Sequence, residues 1–213
     1  MTIVKLLIGL GLAGAAVGAQ AAITYNATAG QNSLQPVTAT LTFDSMVLPT
    51  GFATYDNLAA LIAHPGDPGY AAQPPLDPTP FFSVGVTHGQ PSSSSVAFGG
   101  AGVVYFGFYM GSPDSYNQVS FYSGAIPLGT FTGTQMAAAA GVPADGNQQV
   151  GFYMNFFTSS LAITQVTFSA NQDAFESDNH SFIAAPIPEP ETYAMLLAGL
   201  GLIGAWGRRK KTQ

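Results

Sequence analysis

The chain has no cysteine. Neither a disulfide framework nor a thiolate metal centre is therefore available to it. Cationic side chains are nearly as scarce: of five Lys and Arg, Lys5 lies at the start and Arg208, Arg209, Lys210 and Lys211 lie in the last six residues. Nothing between Leu6 and Gly207 is Lys or Arg, while nine carboxylates fall between Asp44 and Asp178. A surface for DNA, RNA or polyphosphate is excluded, because such partners are held by arrays of fixed cations. Schiff-base lysine chemistry and arginine clamps on phosphoryl groups are excluded with it. Only 8% of the 213 residues are charged, against 47% apolar and 12% aromatic. Disorder needs the opposite balance, so the interior reads as one domain with a substantial core.

Both ends carry address-like patterns. Met1 to Ala21 opens with Lys5, runs through an apolar stretch from Leu6 to Val17 and ends in Ala19-Gln20-Ala21. That order is a secretory signal with an A-x-A site, cut by signal peptidase after Ala21. A buried or anchoring first helix is the alternative, but the stretch is too short to span and holds Gly9, Gly11, Gly14 and Gly18. The C-terminus has three parts: Pro186 to Glu191, an uncharged stretch from Tyr193 to Trp206, and the basic cluster Arg208 to Lys211. As a helix the second part covers only about 21 Å, short of the ~30 Å hydrocarbon core unless flanking residues snorkel. The basic end should stay cytoplasmic, leaving the preceding domain outside.

Pro188-Glu189-Pro190-Glu191-Thr192-Tyr193-Ala194, the apolar run from Met195 to Leu202 and Arg208-Arg209-Lys210 together resemble the PEP-CTERM sorting signal of Gram-negative bacteria. The resemblance implies a transient inner-membrane anchor, with Pro188, Glu189 and Pro190 as the processing motif and Arg208, Arg209, Lys210 and Lys211 as the basic stop. It implies cutting by an exosortase and release to the cell surface or extracellular matrix and its exopolysaccharide. A permanent single-pass anchor fits the same residues.

Between the addresses, Val37 to Phe43 alternates apolar residues with threonines, the period of a half-buried strand. Similar runs follow at Phe81–Val86, Ser95–Phe98, Val103–Met110, Gln118–Tyr122, Val150–Phe156, Ile163–Ser169 and Ala174–Phe182, separated by turn residues. Two helices are expected, one capped by Thr54 and running to Ile62, the other capped by Thr134 and ended by Gly141. Six prolines between Pro65 and Pro80 mark an extended surface loop. The expected architecture is an all-β antiparallel sandwich, jelly-roll-like, over residues 22–185, between a signal peptide at 1–21 and a sorting signal with a transmembrane helix at 186–213. A closed barrel is the alternative, and an outer-membrane barrel is disfavoured by strands too few and short to span.

Within the domain, Phe106 to Asn117, Phe131-Thr132-Gly133 and Ala174 to Asn179 resemble a family of exosortase-dependent surface proteins of uncharacterised biochemistry. That family carries Gly-Ser-x-Asp-x-Tyr-Asn and Phe-Glu-x-Asp-Asn stretches, and often has Trp where this chain has Met110.

Candidate chemistry concentrates in the acidic residues. In a regular strand Glu176, Asp178 and His180 share one face at ~6.5 to 7 Å intervals, and Asp114 and Asp173 in turns could complete an oxygen-rich calcium shell. The competing reading is a solvated polar strand face, with Gly111 to Asn117 a structural turn whose Asp114 accepts backbone N–H bonds. Tyr105, Tyr109, Tyr116, Tyr122 and Tyr153 offer sugar-stacking faces or, equally, packing. No G-x-S-x-G elbow, H-E-x-x-H helix or P-loop occurs, and His64, His88 and His180 sit apart in sequence. Three functional classes follow: a non-catalytic surface or matrix protein, a calcium-dependent carbohydrate-binding module, and, as a remote third, a glycoside hydrolase, which needs only two carboxylates.

Overall fold

The computed structural model describes residues 23–62, 69–186 and 200. Its strands are β1 (Ile23–Thr28), β2 (Ala39–Leu41), β3 (Ala53–Tyr55), β4 (Leu61–Ile62), β5 (Phe81–Val84), β6 (Ser93–Phe98), β7 (Val103–Gly111), β8 (Asn117–Ser123), β9 (Ile126–Thr132), β10 (Gly151–Thr158), β11 (Gln165–Ala170) and β12 (Phe175–Ala184). One helix, α1 (Gly133–Ala140), follows β9. The strands form two antiparallel sheets, one ordered β1-β10-β7-β12-β5-β4 with β2 also on β12, the other β3-β6-β11-β8-β9. The molecule is thus a two-layer β-sandwich rather than one closed barrel. Its pairings are nested: β8 with β9, β7 with β10, β6 with β11 and β5 with β12.

Alternation decides which face of each strand is buried. In β11, Val166, Phe168 and Ala170 are buried while Gln165, Thr167 and Ser169 are partly exposed. Between the sheets the core is aromatic, with Phe108 edge-on to Phe168 at 5.1 Å and Phe121 against Phe156 at 4.6 Å. Such pairs contribute about 0.5–1.5 kcal/mol each beyond the area they bury. Strand β7 is different, because nearly all of its residues are buried. Phe106, Phe108 and Met110 enter the core. Tyr105 and Tyr109 face outward, where the Tyr105 hydroxyl meets Ser33 Oγ at 2.7 Å and Tyr109 donates to the Pro75 carbonyl at 2.6 Å. Residues 69–80 therefore lie against the outer face, and the expected surface loop is half-buried over this stretch. Gly111 allows that approach, since a Cβ there would sit 2.8 Å from Pro74 Cα.

Two helix expectations need correction. No helix runs from Thr54 to Ile62: Ala53–Tyr55 pairs with β6, and Asn57 caps a single 3₁₀ turn at Leu58–Ala60. The Tyr55 ring sits in the core instead, where its hydroxyl lies 2.7 Å from His180 Nδ1. Helix α1 is present and ends at Gly141 with φ 73°, but its cap is Thr132, not Thr134. Thr132 and Gln135 form a reciprocal capping box, which satisfies two otherwise orphaned backbone donors.

The expected shared face of Glu176, Asp178 and His180 is also corrected. Asn179 adopts φ 49°, and the β12–β7 register slips between Asp178 and Ser181. This bulge reverses the alternation, so His180 points into the core. There it stacks on Phe168 at 4.9 Å and reaches Ser177 Oγ at 2.9 Å through Nε2. Burial pushes its pKa down to about 3, so the imidazole is neutral.

The expected signal peptide, with Ala19 and Ala21, and the tail from residue 187, with its transmembrane segment and Arg208 to Lys211, lie outside the described residues. Among the described residues no helix is long and apolar enough to cross a membrane.

Candidate functional site

At one end of the sandwich a cleft of about 670 Å³ opens between residues 69–73, the β7–β8 turn, the loop after α1 and the start of β12. Four carboxylates line it: Asp114, Asp145, Asp173 and Glu176. The sequence brought three of them forward as candidates, and the fold gathers those three.

Asp114 is fixed by its turn. Its carbonyl accepts from Asn117 N at 3.1 Å, and Gly146 N donates to the adjoining Pro113 carbonyl at 3.0 Å. The Asn117 side chain, with its amide oriented to satisfy both neighbours, donates to the Ala174 carbonyl at 3.1 Å and accepts from Asp114 N at 3.2 Å. A Cβ at Gly146 would lie 2.6 Å from the Asp114 carboxylate, so the loop after α1 approaches as closely as it does only with glycine there. Tyr116 Oη lies 2.9 Å from Asp114 Oδ2 and 2.6 Å from the Asp173 carbonyl, tying the two turns together. Burial raises the Asp114 pKa; the Tyr116 hydrogen bond opposes this and the charge of Asp145 adds to it.

Asp173 and Glu176 contrast in their surroundings. Burial pushes Asp173 up, but the Thr87 hydroxyl and the Val86 and Thr87 N–H groups, with His88 nearby, outweigh it and hold the carboxylate below its ordinary range. Glu176 is only 2% exposed; Ala72 N donates to its Oε1 at 2.7 Å, and its own backbone N–H also acts on the carboxylate. Its Oε2 is buried without a partner among the described residues, as is Ser112 Oγ on the cleft wall. Burial pushes Glu176 up to about 8, against the Ala72 bond and assisted by Asp114 and Asp173.

Asp178 shares the outer face of β12 but does not line the cleft. Oδ1 accepts from Asn179 N at 2.6 Å and Oδ2 has no partner. Burial, with Asp77 and Asp44 nearby, pushes it up to about 9. Among the described residues no group of three or more His, Asp or Glu is arranged to hold a metal ion. Asp114, Asp173, Glu176 and Asp178 are thus not drawn into one shell.

The tyrosine faces are largely spoken for. Tyr105, Tyr109 and Tyr153 are at most 2% exposed, which leaves no ring for a sugar to stack on; of the five, Tyr116 and Tyr122 are partly open. Met110 is a core residue, so its side chain does not serve a surface ligand. His88 is exposed and stacks on Tyr70 at 4.4 Å, while His64 lies outside the described residues. Asp145, Ser112 Oγ and the walls from 69–73 carry no functional signal in the sequence, where Asp145-Gly146 reads as one of the turns between the strand runs. The Asp-Gly pair was the available clue, since it marks a turn able to carry a carboxylate close to a neighbouring backbone.

The fold and cleft define a class: an antiparallel β-sandwich with an acidic cleft at one end. Residues 186–211, the segment after that sandwich, match the PEP-CTERM protein-sorting motif. No curated protein and no solved structure matches the chain.

Proposed function

We propose that the chain is exported, anchored transiently in the inner membrane, processed by an exosortase at Pro188-Glu189-Pro190 and released as a non-catalytic component of the cell surface or extracellular matrix, held in exopolysaccharide. The observation that carries this reading is the sorting motif at 186–211. In it, residues 1–21 are a signal removed by signal peptidase, 22–185 the functional domain and 186–213 the sorting signal. The nested pairing of β5 to β12 supports the jelly-roll reading, a scaffold that presents loops at its ends, and the cleft is built from such loops. The Ser177–His180 pair is sealed in the core, with both residues 0% exposed, and so offers no serine–histidine nucleophile to a substrate.

Replacing Pro188, Glu189 and Pro190 together by alanine should leave most of the chain in the membrane fraction, with the tail intact. Immunoblotting of surface, periplasmic and membrane fractions reads the outcome. Unchanged release of the triple variant would overturn the assignment of these residues as the processing motif.

A further inference from the structure

We propose that the acidic cleft binds a protonated amine carried on a hydroxyl-rich body, that is, an amino sugar with its amino group free. The choice of a glycan rests on the surface-matrix reading; the choice of an amine rests on the cleft itself. Asp114, Asp145, Asp173 and Glu176 line one space, and no Lys or Arg lies between Leu6 and Gly207 to balance them. Two further observations point to a ligand: Glu176 and Ser112 both line the cleft, and their buried Oε2 and Oγ atoms have no hydrogen-bond partner among the described residues. Leaving such atoms unsatisfied costs free energy, which a ligand that donates to them recovers.

Chemistry narrows the ligand. An ammonium brings three donors and no acceptor, which suits a lining dominated by carboxylate oxygens, and it relieves the mutual repulsion of those carboxylates. Hydroxyl groups alone bring acceptors as well as donors and leave that repulsion in place. Phosphate, sulfate or uronate groups would meet only like charge. Size points the same way, because a cleft of about 670 Å³ is in the range of small-molecule sites and far larger than a bare ion needs. Tyr116, within reach of the Asp114 carboxylate and the Asp173 backbone carbonyl, holds Asp114 in place before a ligand arrives, as Val86 and Thr87 hold the Asp173 carboxylate.

The test is isothermal titration of the full-length chain, purified in mild detergent, with a β-1,4-linked glucosamine tetramer and with its fully N-acetylated counterpart. The free-amine tetramer should bind at least about tenfold more tightly, a difference worth ~1.4 kcal/mol. Added salt should weaken that binding, because part of it is charge attraction. Glu176→Gln keeps the side-chain shape but puts an amide N–H donor where a carboxyl oxygen could accept from an ammonium, and should weaken binding about tenfold or more. Asp145→Asn, at an exposed position, should weaken it by a smaller factor while circular dichroism stays unchanged. Equal affinity for the two tetramers would overturn the proposal in favour of hydroxyl recognition. Binding of neither tetramer, or calcium binding reversed by EDTA in place of amine binding, would also overturn it. Because the titration is independent of export, a processed surface protein that ignores amines would fail this proposal alone, and an unprocessed chain that binds them would fail the sorting reading alone.

Discussion

Raising the pH from 6.5 to 8.5 should markedly destabilise the folded chain, with the urea midpoint falling steadily across the interval. Glu176 and Asp178 are buried carboxyl groups pushed up to about 8 and about 9, while in the unfolded chain both titrate near 4. At pH 6.5 the native state therefore holds close to two protons that the unfolded state has already lost. Stability falls with pH wherever the native state binds more protons. The limiting slope is two protons, or about 2.7 kcal/mol per pH unit, and it fades as the pH passes 8 to 9 and the native groups ionise. Opening of residues 69–80, which cover these groups through the Ala72 bond to Glu176, would admit water and reduce the slope. The neighbouring charges act in the same direction: Asp77 and Asp44 raise Asp178, and Asp114 and Asp173 raise Glu176. His180 is neutral in the native state throughout, while the unfolded imidazole is about half protonated at pH 6.5 and loses that proton over the next pH unit, so it offsets part of the slope only at the start of the interval. Asp178→Asn should remove about half of the slope. Stability that is flat or rising over this interval would show that the two carboxyls are not held protonated by the fold.

Gly133→Ala should cost about 3 kcal/mol or more, although alanine is the better helix former by about 1 kcal/mol. Gly133 is the first residue of α1, and a Cβ there would fall 1.7 Å from the Asp114 carbonyl oxygen and 2.8 Å from its carbon. That carbonyl cannot yield cheaply, being fixed by the bond from Asn117 N inside a turn that is also tied to Gly146 and Val150. Relief requires α1 or the cleft wall to move. Gly141→Ala serves as the comparison: its φ is positive but nothing lies within 4 Å of the added carbon, so only the left-handed strain of about 1 kcal/mol is expected. Urea denaturation of the two variants reads the difference, and a neutral or stabilising Gly133→Ala would contradict the packing of α1 on the β7–β8 turn.

The sandwich was largely legible in the sequence because period-2 alternation is a direct imprint of one buried face. All eight of the expected runs contain a strand. Those missed were short or at sheet edges: β9 carries Pro127 and Gly129, which suppress the strand signal, and β1 directly follows the apolar, alanine-rich stretch read as a signal. The site was legible only in part. Asp114, Asp173 and Glu176 stood out as acids without cations, but their meeting depends on a turn, a strand and a loop distant in sequence. His180 was misplaced because a bulge at Asn179 has no periodic signature; one residue in positive φ reverses everything after it. Asp178 looked equivalent to Glu176, and only the cleft's boundaries separate them.

The central claim is that this β-sandwich reaches the cell surface without either of its ends. Intact-mass measurement of the protein recovered from surface material tests it most directly. The predicted result is a chain that begins near Ala22 and ends between Pro188 and Glu191. A surface chain that still carries Arg208 to Lys211 would contradict it and make the tail a permanent anchor.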